Sequence, residues 1–405
     1  MKRSWKTLLA TCAIAVTALI APGIQSKAAT SVNMGVHQTD ADSDSVEIAW
    51  NAQLGYKDYH IEMSTDNRNW TDMDYSYSPS DRINSLSENQ TYYVRIIAYQ
   101  DSHWSNDHIR NTAAVSESIR VCTTPIEPTE LKQTAATKNS VTLSWKAVAG
   151  ATSYEIYRLN SSYNWDKIAT SSKNSVTIGG LKKSDEFKYC VAAVKNVEGY
   201  NAVGSQSDGV YAKTTPSKVK NIDMTYFWGS LKECKYEWSS VNNADGYQYE
   251  VRKTTGKKVY DKKTTTSTGA YFSPYPQGTF IKARVRAYVT VNGKKVYGAW
   301  SDYTYSGISK SATVKRSRNG KKIYLNWKKV SGASEYRIYI STSSNKGFKK
   351  VATVSSKKAA KYTITKCNKK NLKKGKTYYV QIRYVTKVGK KKVVSTAYSL
   401  SLIHI

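Results

Sequence analysis

Apolar and polar residues alternate along most of the chain in short runs. Val46-Glu-Ile48-Ala-Trp50 and Val141-Thr-Leu143-Ser-Trp145 put Val, Ile or Leu, and Trp on one face and small polar or charged residues on the other. A period of two with one wet face predicts antiparallel sheet. A Trp closes such a run four times, at Trp50, Trp145, Trp238 and Trp327. Nine residues on, each time, a Tyr opens the next run: Tyr59, Tyr154, Tyr247 and Tyr336. The Trp-to-Trp spacings are 95, 93 and 89 residues. Units of this length can each bury a core, so they are tandem domains and not the coils of a solenoid. No stretch of useful length shows a helical period.

Other positions recur within the unit. An aromatic follows each Trp by about twenty residues, at Trp70, Trp165, Phe348 and, more loosely, Tyr260. Its return at one framework position reads as packing over the next strand and not as a sugar platform. A Leu then precedes an aromatic by six residues in Leu86/Tyr92, Leu181/Phe187 and Leu372/Tyr378, while Tyr275 and Ile281 hold those places in the third unit. Three units close on Ser116-Glu117, Ser207-Asp208 and Ser301-Asp302, and two linkers read Thr-Thr-Pro, at Pro125 and Pro216.

Together these features resemble the fibronectin type III domain: a Trp in the second strand, a Tyr opening the third, and a Leu-to-Tyr corner entering the sixth. The resemblance implies an all-β chain of four tandem, immunoglobulin-like, seven-stranded β-sandwiches behind a signal peptide. The expected boundaries are 31–124, 125–216, 217–310 and 311–399, with short junctions that imply a semi-extended rod. The residues named above are its expected structural core. Phe187 and Ile281 lack the hydroxyl that a tyrosine corner needs.

The N-terminus reads as an export signal. Lys2, Arg3 and Lys6 precede an apolar run from Leu8 to Ala21, too short for a comfortable membrane span, and Ser26-Lys27-Ala28 offers a cleavage site. Residues 1–28 therefore read as a signal peptide, no other run could cross a membrane, and the mature chain is expected to be secreted and possibly wall-associated. Cys12 leaves with that segment. Cys122, Cys190, Cys234 and Cys367 fall one to a repeat, so no repeat closes its own disulfide. They read as buried thiols, in a pattern that suits a bacterium more than an animal ectodomain. No C-x-x-C pair starts a zinc site.

Charge distinguishes the repeats. Net charge is −8 over 31–124, +3 over 125–216, +9 over 217–310 and +24 over 311–399, where Glu335 is the single acid. Lys369, Lys370, Lys373, Lys374 and Lys376 form one cluster, and Lys390, Lys391 and Lys392 another. Asn292-Gly293 is a hairpin-turn signal that would set Lys294 and Lys295 at an exposed tip. Such a charge density opposes folding by self-repulsion, which favours a functional reading over mere solubility. The expected partner is an anionic cell-wall polymer or an acidic polysaccharide. Specific nucleic-acid binding is not expected, because no nucleic-acid fold signature is present.

Catalysis finds little to work with. His37, His60, His103 and His108 all lie in the first repeat, and Asp101 to His108 gathers two Asp and two His in a loop before the last strand. That spacing matches no metal site and reads as a solvated loop, within which Trp104 is the candidate exposed contact. No nucleophile elbow, HExxH or phosphate-cradling loop occurs. The chain reads as a non-enzyme without cofactor or metal: a spacer and adhesion array whose basic end holds the wall. The alternative is the accessory spacer of a larger secreted carbohydrate-active or cell-wall enzyme. Residues 400–405, LSLIHI, depart from the preceding text and match a translated sequencing-adapter end, so the natural chain is expected to continue past Ser399.

Overall fold

In a computed structural model, the described residues are 30–100, 113–228, 233–254, 258–273, 278–307, 312–344, 346–358, 360–395 and 398–400. The export segment, the loop Asp101 to His108 with Trp104, Tyr275 and residues 401–405 lie outside them. Every described element is a strand. The chain divides into two compact units. One is Met1–Glu127 with Val148–Thr152 and Ala193–Ser205; the other is Pro128–Ala147, Ser153–Ala192 and Gln206–Ile405.

One plan recurs. In the first repeat His37–Ala41, Val46–Ala49 and Ser80–Ile83 make a three-stranded sheet. A larger sheet runs Thr30–Val32, Ala113–Ser116, Thr91–Tyr99, Asp58–Ser64, Thr71–Ser76, with Ile119–Cys122 also paired to Thr91–Tyr99. Thr91–Tyr99 alternates strictly between buried and half-buried positions, as a strand with one dry face must. Repeats two to four each repeat a three-stranded and a five-stranded sheet.

The Trp run and the Tyr run therefore lie in opposite sheets. Their nine-residue spacing is the length needed to cross the sandwich and place both rings in its core. The Trp–Tyr centroids lie 5.5, 5.1, 5.6 and 5.2 Å apart in the four repeats, always tilted or edge-on. Such pairs add about 0.5–1.5 kcal/mol to the burial of the rings. The Tyr hydroxyl has a second task. It accepts the backbone N–H six residues upstream, from Gln53 to Tyr59, Val241 to Tyr247 and Val330 to Tyr336, at 2.9 to 3.1 Å. A hydroxyl can serve a buried loop amide from inside the core where Phe cannot, which helps explain why Tyr is so favoured here.

The Leu-to-Tyr corner forms where a hydroxyl is present. Ser87 N–H donates to Tyr92 at 3.0 Å, and Lys373 N–H donates to Tyr378 at 3.1 Å. Phe187 is only half-buried and lies under the Arg158 guanidinium, 4.9 Å from its ring centroid. Leu181 and Leu86 are also half-buried, while Ile281 is fully enclosed. Tyr92→Phe and Tyr378→Phe should each cost about 1 kcal/mol, because each orphans one loop N–H. Urea titration of each variant checks this, and an unchanged midpoint would remove the corner from the stability of these repeats.

The last strand is broken in two in every repeat, so the second and third repeats have eight described strand segments where seven strands were expected; the first has nine, with Thr30–Val32 added, and the fourth ten, with the small pair Lys366–Cys367 and Lys370–Asn371. The break is the Ser-acid signature. Ser116 Oγ accepts from Ile96 N–H at 2.8 Å and donates to the Glu117 carbonyl at 2.9 Å. Ser207 with Val191 and Asp208, and Ser301 with Val285 and Asp302, repeat it. In the fourth repeat Ser395 takes the N–H of Tyr384. A buried hydroxyl thus replaces the ladder partner that the break removes. The Thr-Thr-Pro linkers act similarly: Thr123 Oγ1 accepts from Gln90 N–H and donates to the Ser87 carbonyl, and Thr214 does the same with Asp185 and Lys182.

Cys122, Cys190, Cys234 and Cys367 are free and buried. Burial pushes all four thiols up, Cys190 and Cys234 to about 12. Thiolate is the reactive form, so a thiol reagent at neutral pH should label none of them in the folded chain and all four in denaturant. Rapid labelling of the native chain would contradict the structural role.

Candidate polyanion-binding surface

The fourth repeat's first lysine cluster is built on a turn, a loop and one arginine. Lys366–Cys367 pairs with Lys370–Asn371, and the turn between them holds Asn368 and Lys369 in the left-handed region, φ 51° and 67°. The chain then passes through buried Leu372 into the loop that Tyr378 anchors. Arg316 fixes that loop from the neighbouring strand. Its guanidinium donates to the carbonyls of Lys373 and Lys376 and to that of Gly320. Gly320, at φ +69°, packs so closely that an added Cβ would lie 2.9 Å from Lys374 Cα. The turn carrying Arg318, Lys321 and Lys322 is thereby held beside the loop carrying Lys373, Lys374 and Lys376.

All of these cationic side chains except Arg316 are exposed, and so are Lys369 and Lys370. Among the described residues, the ion pairs of this repeat are two, from Arg337 at 2.8 Å and Lys392 at 3.2 Å, both to Glu335. The single acid is consumed by its neighbours. Burial raises the Glu335 carboxyl, but Arg337 and Lys392 together bring it below its ordinary value. The first cluster therefore faces solvent without an internal counter-charge. Its lysines share one tight turn and the loop that follows it, so their charges add into one local field.

The second lysine cluster is elsewhere. Lys390 and Lys392 are exposed at the hairpin that joins Tyr379–Val388 to Lys391–Val394; Lys391 begins the latter strand. Tyr379–Val388 separates them from the first cluster, and its ten residues at about 3.3 Å each span roughly 30 Å. The sequence shows two clusters without their distance, and the fold sets them at opposite ends of one strand. In the third repeat Asn292 and Gly293 make the expected tight hairpin, with Val291 paired to Lys294 and Thr290 to Lys295. Lys294 is exposed; Lys295 is drawn to the Tyr288 ring and the Thr264 hydroxyl.

Two groups of aromatics are covered by the chain's own arginines. Trp70 lies under the Arg95 guanidinium, 4.2 Å from its centroid. On the third repeat Tyr297, Arg286, Trp300, Arg284 and Tyr303 stack in alternation, with cation-to-centroid distances of 3.8, 4.5, 4.3 and 5.1 Å. Arg284 and Arg252 also pair with Glu250, which is 1% exposed. Sequence reading passed over this ladder, although Arg284 and Arg286 at a spacing of two, near Trp300 and Tyr303, carry the signal. Arg316 and the turn at Arg318 were missed for a different reason: their relation to Lys373 exists only in the fold. Among the described residues, no group of three or more His, Cys, Asp or Glu is placed to share a metal ion. No described helix is long and apolar enough to cross a membrane.

A fibronectin type III domain family model matches residues 127–206. The chain is similar to a poly(3-hydroxybutyrate) depolymerase of Ralstonia pickettii, 38% identical over 90 residues, which is 22% of this chain and 17% of that one. It is also similar to chitinase A1 of Niallia circulans, 29% identical over 203 residues, 46% of this chain and 26% of the relative. Fibronectin type III domain-containing protein 7 of Mus musculus is 22% identical over 276 residues, 67% of this chain and 34% of that protein. The chain thus spans about a third or less of the length of each of these relatives.

Proposed function

Because the chain is a tandem array of fibronectin type III domains, a fold that carries no chemistry of its own, we propose that it is a secreted, non-catalytic spacer whose fourth repeat attaches it to an anionic polymer of the cell surface. The observation that carries this reading is the unpaired cationic field around Arg316. The lysines there stand on a loop and turn held by backbone contacts, so the backbone that presents them need not order on contact. Polyanion binding of this kind is electrostatic and sequence-independent, and it weakens steeply as salt rises. The mature chain should sediment with purified bacterial cell wall at low salt and be released by salt. If it stays in solution at low salt, the reading fails.

The relatives favour a second reading. Both bacterial proteins are named as enzymes, and each extends well beyond the matched region. On this reading the four repeats space a catalytic domain of a secreted polymer-degrading enzyme from its anchor. A long read through the locus past the codon for Ser399 separates the two. A continuing frame with a hydrolase domain favours the spacer of an enzyme, and a stop after the last strand favours the binding array.

A further inference from the structure

We infer that a cleft between the second and third repeats, within one compact unit, binds an anionic oxygen group carried on a hydroxyl-rich chain: a phosphodiester or a sugar carboxylate. The cleft has a volume of about 390 Å³ and is lined by Lys183, Lys218 and Lys220 together with hydroxyls and amides, among them Asn221, Ser240 and Asn242. This site goes beyond the fourth-repeat reading and stands or falls without it.

Three observations carry the inference. The first is charge. Lys183 and Lys220 are exposed, and no carboxylate pairs with either among the described residues. Lys218 meets Asp302 at 2.8 Å, but Asp302 is 96% exposed, so solvent screens the pair and it yields readily to a better anion. The lining acid, Asp185, is engaged by the backbone N–H of Lys182 at 2.6 Å, closing its own turn.

The second is rigidity. Ser184 N–H donates to the Thr215 carbonyl, Ser217 N–H donates to Ser184 Oγ at 2.9 Å, and Asn243 Nδ2 donates to the Ser184 carbonyl at 2.9 Å. Lys213 bridges Glu186 and Asp245 at 3.3 and 2.8 Å. Gly298 lets the linker approach so closely that a Cβ there would lie 2.5 Å from the Pro216 carbonyl oxygen. The backbone that carries the lining is thus held in place before any ligand arrives, which leaves only the side chains to be ordered on binding.

The third is contrast. A cleft of similar size, about 340 Å³, is lined by His37, Arg120, Glu198 and Tyr200. There Arg120 is neutralised by Glu198 at 3.2 Å. In the first cleft two of the three lysines, Lys183 and Lys220, have no carboxylate partner among the described residues and stand beside hydroxyl and amide donors, the combination that an anion on a polyol chain requires.

The test uses the full chain with Lys369, Lys370, Lys373, Lys374 and Lys376 changed to Glu, so that the fourth repeat does not compete. Glycerophosphoglycerol (a phosphodiester), a uronic acid disaccharide and a neutral disaccharide are titrated while the amide signals of Asn221, Ser240 and Asn242 are followed by NMR. One or both anions should shift these signals at moderate salt, and the neutral sugar should not. Lys183→Gln/Lys220→Gln should weaken that binding by about tenfold or more; both side chains are exposed, so the fold should survive. A response to the phosphate alone assigns a phosphodiester polymer, and a response to the uronate alone an acidic glycan. Absence of shifts with both anions, equal shifts with the neutral sugar, or undiminished affinity in the double variant would overturn the site.

Discussion

Trp50→Ala is expected to lower the stability of the first repeat by about 3–5 kcal/mol. Trp50 is 4% exposed and lies against Tyr59, in a core with Ile48, Ile61, Ile83 and Val94. Removing the indole leaves a cavity between two sheets whose strands are held by their ladders, so the gap cannot close cheaply. A domain of this size has only about 5–15 kcal/mol in total, so the loss approaches the whole. Each kcal/mol moves the midpoint of a domain this small by roughly 4–8 °C, and calorimetry should show one transition fall by more than about 10 °C. Trp70→Ala is the control. Its ring is half-buried beneath Arg95, and its loss removes one cation–ring contact worth about 0.5–2 kcal/mol. If Trp50→Ala shifts its transition no more than Trp70→Ala does, the framework Trp is not the core anchor.

Reversing Lys369, Lys370, Lys373, Lys374 and Lys376 to Glu is expected to abolish wall binding. A lysine beside an anionic surface is worth about 1 kcal/mol, so five removed contacts cost about three orders of magnitude in affinity, before the new repulsion is counted. The fold should tolerate the change, because Arg316 holds the loop by its carbonyls and Tyr378 holds it by an N–H. Reversing Lys390 and Lys392 instead tests the other end of the strand, where Lys392 is already shared with Glu335. A greater loss from the first set locates the contact at the Arg316 end. Retention unchanged by either set would leave the charge as a solubilising surface and end the polyanion reading.

What could be read from residues alone was whatever lies on a period. Alternation placed the strands, and the nine-residue step from Trp to Tyr placed two facing rings, because a strand pair that crosses a sandwich needs a loop of fixed length. The tyrosine corner at Tyr92 and Tyr378 and its absence at Phe187 followed from one oxygen atom. The break in the last strand was invisible: Ser116 and Glu117 looked like punctuation, and only the ladder shows that the Ser116 hydroxyl accepts the Ile96 N–H. The half-burial of Phe187 was equally hidden, since burial depends on what lies above a residue and not on its type.

The sequence by itself determined the fold class, the four Trp–Tyr pairs that recur with it and the gradient of charge from −8 to +24. These are properties of composition and period, and local sterics and burial act on them directly. The tertiary structure alone decided which charges meet. It joined Arg316 and the turn at Arg318 to Lys373 across 57 residues. It parted Lys369 from Lys390, and it brought Lys183 to Lys220 across a linker. Electrostatics acts through space with a reach of about 8 Å, and distance through space is the one quantity that position along a chain does not supply.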